Sequence, residues 1–188
     1  MTDVTVRSLG EEDWPEYKAI RLAALRDSPD AFVASAQDEE GLEEDFWRLR
    51  MRRSARLVAV RAEGDGDASG KPVGVVSVGQ GKDEEGRVAE IFGLWVAPEA
   101  RGTGVATKLV EASADRARRD GRTHVSYWVG TDNGRAVAFA SGIGFRPTDF
   151  RRPMRVTPGN GGEAGDDVEE EIAMVLPLGE DRGRPDVL

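Results

Sequence analysis

Short apolar runs separated by polar residues and glycines predict seven β-strands along the chain. Val4 to Leu9 alternates apolar and polar residues, which is the pattern of a strand with one buried face. The other runs are rich in β-branched residues or bounded by turn residues. They lie at Leu57–Val60, Val73–Val78, Val88–Val96, His124–Val129, from Gly144-Phe145 onward, and at Glu171–Leu176. Gly93 interrupts the strand at Val88–Val96, which predicts a bulge.

Four segments with helical periodicity lie between these strands. One opens at Asp13-Trp14-Pro15 and ends near Asp27-Ser28-Pro29, and the others span Leu42 to Arg53, Gly104 to Gly121 and Asn133 to Ser141. The segment after Gly104 is the clearest, because apolar residues fall on one of its faces and charged residues on the other. Its apolar face holds Val105, Leu109, Val110, Ala114 and Ala117, and its polar face holds Lys108, Glu111, Asp115, Arg118 and Arg119.

The order of these elements predicts an α+β (mixed α/β) fold. Two helices and then a meander fill the first half, whereas strands alternate with helices in the second, which argues against a regular doubly wound sheet. The length of 188 residues suits one domain, which we place at residues 1–178. We expect flexible loops at residues 63–70 and 159–167 and a disordered tail at residues 179–188.

The amino-acid composition limits which kinds of site and which partners the protein can have. The chain has no cysteine, which excludes thiolate metal sites and a cysteinyl acyl-enzyme, and its single histidine excludes a multi-histidine site, so we expect no metal. A net charge of −9 argues against nucleic-acid binding and favours cationic small molecules or basic peptide ends. No apolar run is long enough to span a membrane and no secretory signal is visible, so we expect a cytoplasmic protein.

A glycine turn separates the strand at Val88–Val96 from the long helix. Its sequence is Arg101-Gly102-Thr103-Gly104. A tight turn with few side chains at the start of a helix lets the backbone approach a phosphate closely. The turn does not fit the G-x-x-x-x-G-K-[ST] loop or the dinucleotide G-x-G-x-x-G/A fingerprint, because both fail at Thr107. What remains is the pattern Arg-x-x-Gly-x-Ala, formed by Arg101, Gly104 and Ala106.

This pattern resembles the Q/R-x-x-G-x-G/A signature of the GNAT superfamily of acetyl-CoA-dependent N-acetyltransferases. The later stretch "VSYWVGTDNGRAVAFASGIGF" resembles the superfamily's next motif, and "RLAALRDSPDAF" and "EEEIAMVLPL" are similar to segments of many small members. The resemblance covers the chain to about Leu178. It implies a central mixed, mostly antiparallel sheet with splayed parallel strands, flanked by helices. It also implies acetyl transfer from acetyl-CoA, without a metal, to a primary amine of a small molecule or to a peptide N-terminus or lysine.

Cofactor-binding residues follow from the turn and the resemblance together. The amides from Gly102 to Ala106, at the positive end of a helix dipole, can hold a pyrophosphate, and Arg101 can add charge-assisted hydrogen bonds. The predicted set is Leu94, Val96, Arg101, Gly102, Thr103, Gly104, Val105, Ala106, Thr107 and Asn133. The resemblance implies that the backbone at Leu94 and Val96 contacts the cofactor and that the Asn133 side chain contacts its pantetheine arm. The alternatives are a tight turn with a solvated arginine, and a helix N-cap at Asn133.

Catalytic residues rest mainly on the resemblance. Glu90 occupies the strand position where several family members carry a glutamate that removes the proton of the amine, directly or through water; the alternative is a solvent-facing carboxylate. The bulge would aim an N–H group at the thioester oxygen. Many members protonate the departing thiolate with a tyrosine, whose place here is Ala140, so Tyr127, Ser141 or water would serve instead.

The acceptor site is the least specified. We expect the first two helices near Ser28 to Phe32 and the loop from Phe150 to Arg155 to contribute, with Phe32, Glu90 and Phe150 as contacts. The acidic run from Asp38 to Asp45 could attract a cation or form a solvated surface. Two other functions stay open: a non-catalytic acyl-CoA-binding or sensory module, and an acidic interaction protein. Dimerisation, which is common in the family, also stays open.

Overall fold

The computed structural model describes residues 3–62, 70–154 and 169–179. Seven strands and five α-helices follow one another in the mixed order expected from the sequence. The strands are β1 (Val4–Leu9), β2 (Ala55–Arg61), β3 (Lys71–Gln80), β4 (Val88–Val96), β5 (His124–Gly130), β6 (Arg146–Pro153) and β7 (Glu170–Pro177). The helices are α1 (Trp14–Asp27), α2 (Ala36–Glu40), α3 (Glu44–Arg53), α4 (Val105–Arg119) and α5 (Gly134–Ile143).

The strands form one sheet in the order β1-β2-β3-β4-β5-β7-β6. The pairs β1/β2, β2/β3, β5/β7 and β6/β7 are antiparallel. Strands β4 and β5 are neighbours joined through α4, the crossover that a parallel pair requires. The mixed, mostly antiparallel sheet with flanking helices is therefore confirmed. The splay of the parallel pair stays a prediction.

The chain divides into two compact units, one of residues 1–79 with 91–116 and one of residues 80–90 with 117–188. In the first unit, Trp47 is fully buried and meets Tyr17 edge to face, with ring centroids 6.0 Å apart. Burying an aromatic side chain of this size contributes on the order of 2 to 3 kcal/mol. In the second unit, Tyr127 packs edge to face on buried Phe145 at 6.2 Å.

Helix α4 shows why its sequence pattern was informative. All five apolar residues predicted to form one face are buried, at 4% exposure or less. Gly121 follows the helix at a φ of +76°, and the Arg122 N–H reaches back 2.9 Å to the Ala117 carbonyl. That backbone conformation favours glycine, so Gly121 terminates the helix as predicted.

Several predicted boundaries differ from the structure. Helix α2 was not predicted, because its five residues are too few to show a period, and α3 begins at Glu44 rather than Leu42. The predicted loop at Phe150 is part of strand β6, whose residues pair with β7. The predicted loops at 63–70 and 159–167 and the predicted tail lie outside the described residues, apart from Gly70 and Gly179.

Candidate active site

Strand β4 leads into the candidate site, and its alternation is broken at Gly93. Ala89, Ile91 and Trp95 are buried, whereas the even-numbered side chains from Glu90 to Val96 are half-buried or exposed. Gly93 has a φ of +61°, the left-handed conformation found at glycine bulges. A strand with this conformation at its centre agrees with the predicted bulge. Phe92 lies near the Arg56 guanidinium, which lies over Tyr17 of α1, and Trp95 donates to Asp27 of the same helix. Strict alternation would put these two side chains on opposite faces, so Glu90 shares a face with Phe92, but the expected extension of that face to Leu94 and Val96 is wrong.

The turn after β4 is open where a phosphate would have to approach. Gly102 and Gly104 have φ values of +73° and +84°, which side chains rarely adopt. A Cβ atom placed on either glycine would meet no atom within 4 Å among the described residues. Both glycines therefore keep the backbone strain-free and the adjacent space free of side chains, and the turn fits a phosphate group.

The first turn of α4 supplies the donors of this site. The helix begins at Val105, so the N–H groups of Val105, Ala106 and Thr107 have no carbonyl one turn earlier to bond. The first helical bond runs from the Lys108 N–H to the Gly104 carbonyl at 3.1 Å. Unpaired amides at the positive end of a 15-residue helix favour an anion.

The Arg101 side chain bonds to residues of the first unit, to which it also belongs. Its Nε donates to the Val96 carbonyl at 3.0 Å, and its Nη2 forms a short ion pair with Asp27. The guanidinium is half-exposed and paired with Asp27, so a bond from Arg101 to a phosphate stays a prediction. Asp27 also accepts from the Trp95 indole at 2.9 Å and from the Ser28 hydroxyl at 2.7 Å. These hydrogen bonds, the Trp95 bond foremost, lower the pKa of Asp27 and keep it ionised as the partner of Arg101.

Asn133 has the capping role that was left as its alternative. Its Oδ1 accepts the Ala136 N–H at 3.1 Å, so it is the N-cap of α5. This bond uses only the side-chain oxygen. Contact of the amide nitrogen with the pantetheine arm stays a prediction.

The groups proposed for proton transfer have distinct surroundings. Glu90 is half-buried and has no ion-pair partner among the described residues. Burial, assisted by the Glu171 carboxylate, raises the pKa of Tyr127, so its phenol stays protonated at neutral pH. Ser141 lies at an exposed position of α5. Ala140, at the place where the resemblance predicts a tyrosine, is fully buried.

Glu39 departs from the solvated acidic run expected between Asp38 and Asp45. It is only 4% exposed and accepts both Nε and Nη2 of Arg21 at 3.1 Å and Nη1 of Arg50 at 3.0 Å. Burial alone would raise the pKa of Glu39, but these two arginines outweigh that effect and hold it below its ordinary value. The expectation of a solvated surface is therefore wrong at Glu39.

The predicted acceptor residues Phe32 and Phe150 differ in burial and in their contacts. Phe32 is half-buried, and the Arg21 guanidinium lies 4.8 Å from its ring centroid. Phe150 is 43% exposed on strand β6. Sequence reasoning missed Arg21, which lies beside Phe32, and also Arg50 and Arg56 in the same cluster, because arginine normally indicates exposed surface.

Comparison with known proteins assigns the family. The model of the acetyltransferase (GNAT) family matches residues 11–145, which include β4, the glycine turn and α4. The chain belongs to the GNAT acetyltransferase family. An uncharacterised N-acetyltransferase of Methanocaldococcus jannaschii is 37% identical over 82 residues, which make up 42% of this chain and 36% of that protein. The match thus spans about a third of that relative's length.

Two further GNAT-type comparisons cover most of the chain. An uncharacterised N-acetyltransferase of Archaeoglobus fulgidus is 29% identical over 151 residues, which are 79% of this chain and 93% of that protein. A Salmonella typhimurium acetyltransferase solved with its cofactor acetyl-CoA has a TM-score of 0.64 at 20% identity and covers 96% of both chains. The likeness confirms the fold. Within the described residues, no helix is long and apolar enough to cross a membrane.

Proposed function

We propose that the protein transfers an acetyl group from acetyl-CoA to a primary amine by direct attack. The observation that carries this proposal is the open glycine turn between β4 and α4, within the segment that matches the GNAT family. The turn combines free amides, a helix N-terminus and uncovered space, which are the features that an anionic cofactor requires. The acetyl-CoA bound to the Salmonella protein, which has the same fold, supports the choice of ligand.

The amides from Gly102 to Thr107 would hold the diphosphate of acetyl-CoA. Arg101 would add charge-assisted hydrogen bonds to the diphosphate, and its side chain also fixes the turn through Asp27 and the Val96 carbonyl. Backbone groups at Leu94 and Val96, with the Asn133 side chain, would bind the pantetheine arm. The cofactor supplies an activated thioester. An N–H group at the Gly93 bulge would stabilise the negative charge that develops on the thioester oxygen.

Glu90 would accept the proton of the attacking amine. An alkyl amine has a pKa of about 10.4, so it is protonated at neutral pH and cannot attack until a base removes that proton. Glu90 is half-buried on the same face of β4 as Phe92, which suits a base that acts directly or through one water molecule.

The departing thiolate requires little assistance. A thiol pKa of about 8.5 makes it a fair leaving group, so the absence of a phenol at Ala140 does not preclude transfer. Tyr127, whose phenol is protonated, or Ser141 or water would deliver the proton. The alanine at position 140, where many family members carry a tyrosine, leaves a second candidate function, a module that binds acyl-CoA without turnover.

Release of free CoA in the presence of an amine panel tests the proposal. Thiol-reactive dye should report release that depends on both acetyl-CoA and an amine, with acetylated product confirmed by mass spectrometry. Calorimetric binding of acetyl-CoA without turnover of any amine would instead favour the non-catalytic module. Failure to bind acetyl-CoA would reject both functions.

A further inference from the structure

A largely buried cationic cluster lies in the first unit. It consists of Arg21 and Arg50, which both bond the carboxylate of Glu39, and of Arg56, which donates to the Arg50 carbonyl. Arg21 and Arg50 both bond Glu39, and their side chains are 14% and 24% exposed. The three guanidinium groups carry three positive charges against one negative charge. Among the described residues, Glu39 is the one carboxylate that pairs with any of these three arginines, so positive charge is in excess in a region largely withdrawn from water.

Arg56 is the most unusual member of this cluster. It is 4% exposed and stacks between the Tyr17 ring at 4.7 Å and the Phe92 ring at 5.5 Å. Its guanidinium donates to the Ser77 hydroxyl and, at 3.0 Å, to the Arg50 carbonyl, while its Nε has no partner. Among the described residues, no carboxylate pairs with it. Burial of an uncompensated charge is costly unless a ligand or partner offsets it.

The cluster faces the glycine bulge of β4. A Cβ atom at Gly93 would lie 3.9 Å from Ser77 Oγ and 4.0 Å from Arg21 Nη1, with nothing closer. Arg21 uses Nε and Nη2 for Glu39, which leaves Nη1 directed toward this bulge. The exposed ring of Phe92 precedes Gly93 on the strand. A hydrogen-bond donor, positive charge and an aromatic surface thus meet at the centre of β4.

We propose that the acceptor amine also carries an anionic group, a carboxylate or a phosphate, which binds beside Gly93. Arg21 Nη1 would donate a charge-assisted hydrogen bond to it, and Arg56 would supply buried positive charge behind it. This assignment rests on the proposed acetyl transfer and specifies its acceptor. It reverses the expectation drawn from the net charge of −9, because the local field at this face is positive.

Anion binding to the cluster is tested by calorimetry on the protein saturated with CoA, which blocks the phosphate site of the glycine turn. Glutarate and inorganic phosphate are the two probes, and the tighter one identifies the anionic group. Arg21→Gln should weaken that binding by about 10- to 100-fold, the effect of losing a charge-assisted hydrogen bond. Arg26→Gln is the matched control, since Arg26 lies on the same helix and pairs with Glu40 at an exposed position. It should bind as the wild type does.

A second variant keeps the test decisive if Arg21→Gln does not fold, as judged by circular dichroism. Arg21→Lys retains the charge but loses the planar fork, so it should bind the anion more weakly than the wild type. Wild-type affinity in a folded Arg21→Gln or Arg21→Lys protein would overturn the proposal, as would failure of both probes to bind the wild type.

Turnover separates this inference from the proposed function. β-Alanine should be acetylated faster than β-alaninamide if a carboxylate is recognised, and phosphoethanolamine faster than ethanolamine if a phosphate is. Acetylation of amines without any such preference would contradict the anion site and leave acetyl transfer standing. Anion binding at Arg21 without acetylation of any amine would reject acetyl transfer and leave the anion site standing.

Discussion

Glu39 and Glu90 are both withdrawn from solvent, yet their surroundings give them different chemistry. Two arginines stabilise the ionised form of Glu39 and lower its pKa, which makes it a poor proton acceptor at neutral pH. Glu90 has no ion-pair partner among the described residues and lies on the strand that leads to the glycine turn. Of these two carboxylates, only Glu90 is suited to act as a base.

Replacing Glu90 by glutamine should separate catalysis from binding. We expect kcat/KM to fall by roughly 10²- to 10⁴-fold, the usual contribution of a general base, with unchanged affinity for acetyl-CoA. CoA release and calorimetry measure the two quantities. Glu111→Gln, at an exposed position of α4, is the control and should keep full activity. A Glu90→Gln enzyme with wild-type turnover would mean that another group is the base.

Glu39→Gln should destabilise the protein in a pH-dependent manner. Removing one partner of a buried ion pair costs on the order of 3 to 5 kcal/mol, because the arginines lose their counter-charge. Since folding lowers the pKa of Glu39, its ionised form stabilises the native state above the ordinary glutamate value of about 4.3. That contribution disappears as the pH falls through the lower pKa of the folded state. Urea unfolding over a range of pH should therefore show a difference between variant and wild type that is largest at neutral pH and shrinks as the pH falls below about 4.3.

At the scale of an element, the two ends of α4 carry the same backbone conformation for different reasons. Gly104 at its start and Gly121 after its end both have positive φ, and a Cβ on either would meet open space. Gly121 terminates the helix, whereas Gly104 borders the amides proposed to bind a diphosphate. The two positions form a natural pair for comparison.

Gly104→Ala and Gly121→Ala should cost similar stability, about 1 to 2 kcal/mol each, because an L side chain is strained at positive φ. Only Gly104→Ala should weaken acetyl-CoA binding, since its methyl group enters the space of the phosphate. Thermal unfolding and calorimetry of both variants provide the measurement. Equal affinities for acetyl-CoA in the two variants would argue against the cradle.

The elements that the sequence predicted well are those defined by local periodicity. Strands β1 and β4 have the predicted bounds, and α4 has the predicted faces. The Arg21–Glu39 pair could not be foreseen, because it joins residues 18 positions apart on two helices. Arg56 directly precedes the apolar run Leu57–Val60 of β2, and the pattern of that run does not predict which aromatic ring will cover the arginine. Tertiary contacts, rather than periodicity, determine the cationic cluster.

On the scale of the whole molecule, long-range charge and local structure oppose each other. A net charge of −9 repels an anionic cofactor, but salt screens such repulsion beyond about 10 Å at 0.1 M ionic strength. The amides at the start of α4 act at hydrogen-bond distance, where screening has little effect. Affinity for CoA should therefore depend on its diphosphate despite the acidic composition.

Ligand-induced stabilisation tests this dependence in the intact protein. Acetyl-CoA at 100 times its Kd should add about 2.7 kcal/mol to the free energy of unfolding, because it binds the folded state only. Acetyl-pantetheine has the same thioester but no diphosphate, so at equal concentration it should shift the melting temperature far less. Thermal denaturation over a range of ligand concentrations gives both values. Equal shifts would show that the thioester arm provides the binding energy, and the glycine turn would then lose its assigned role.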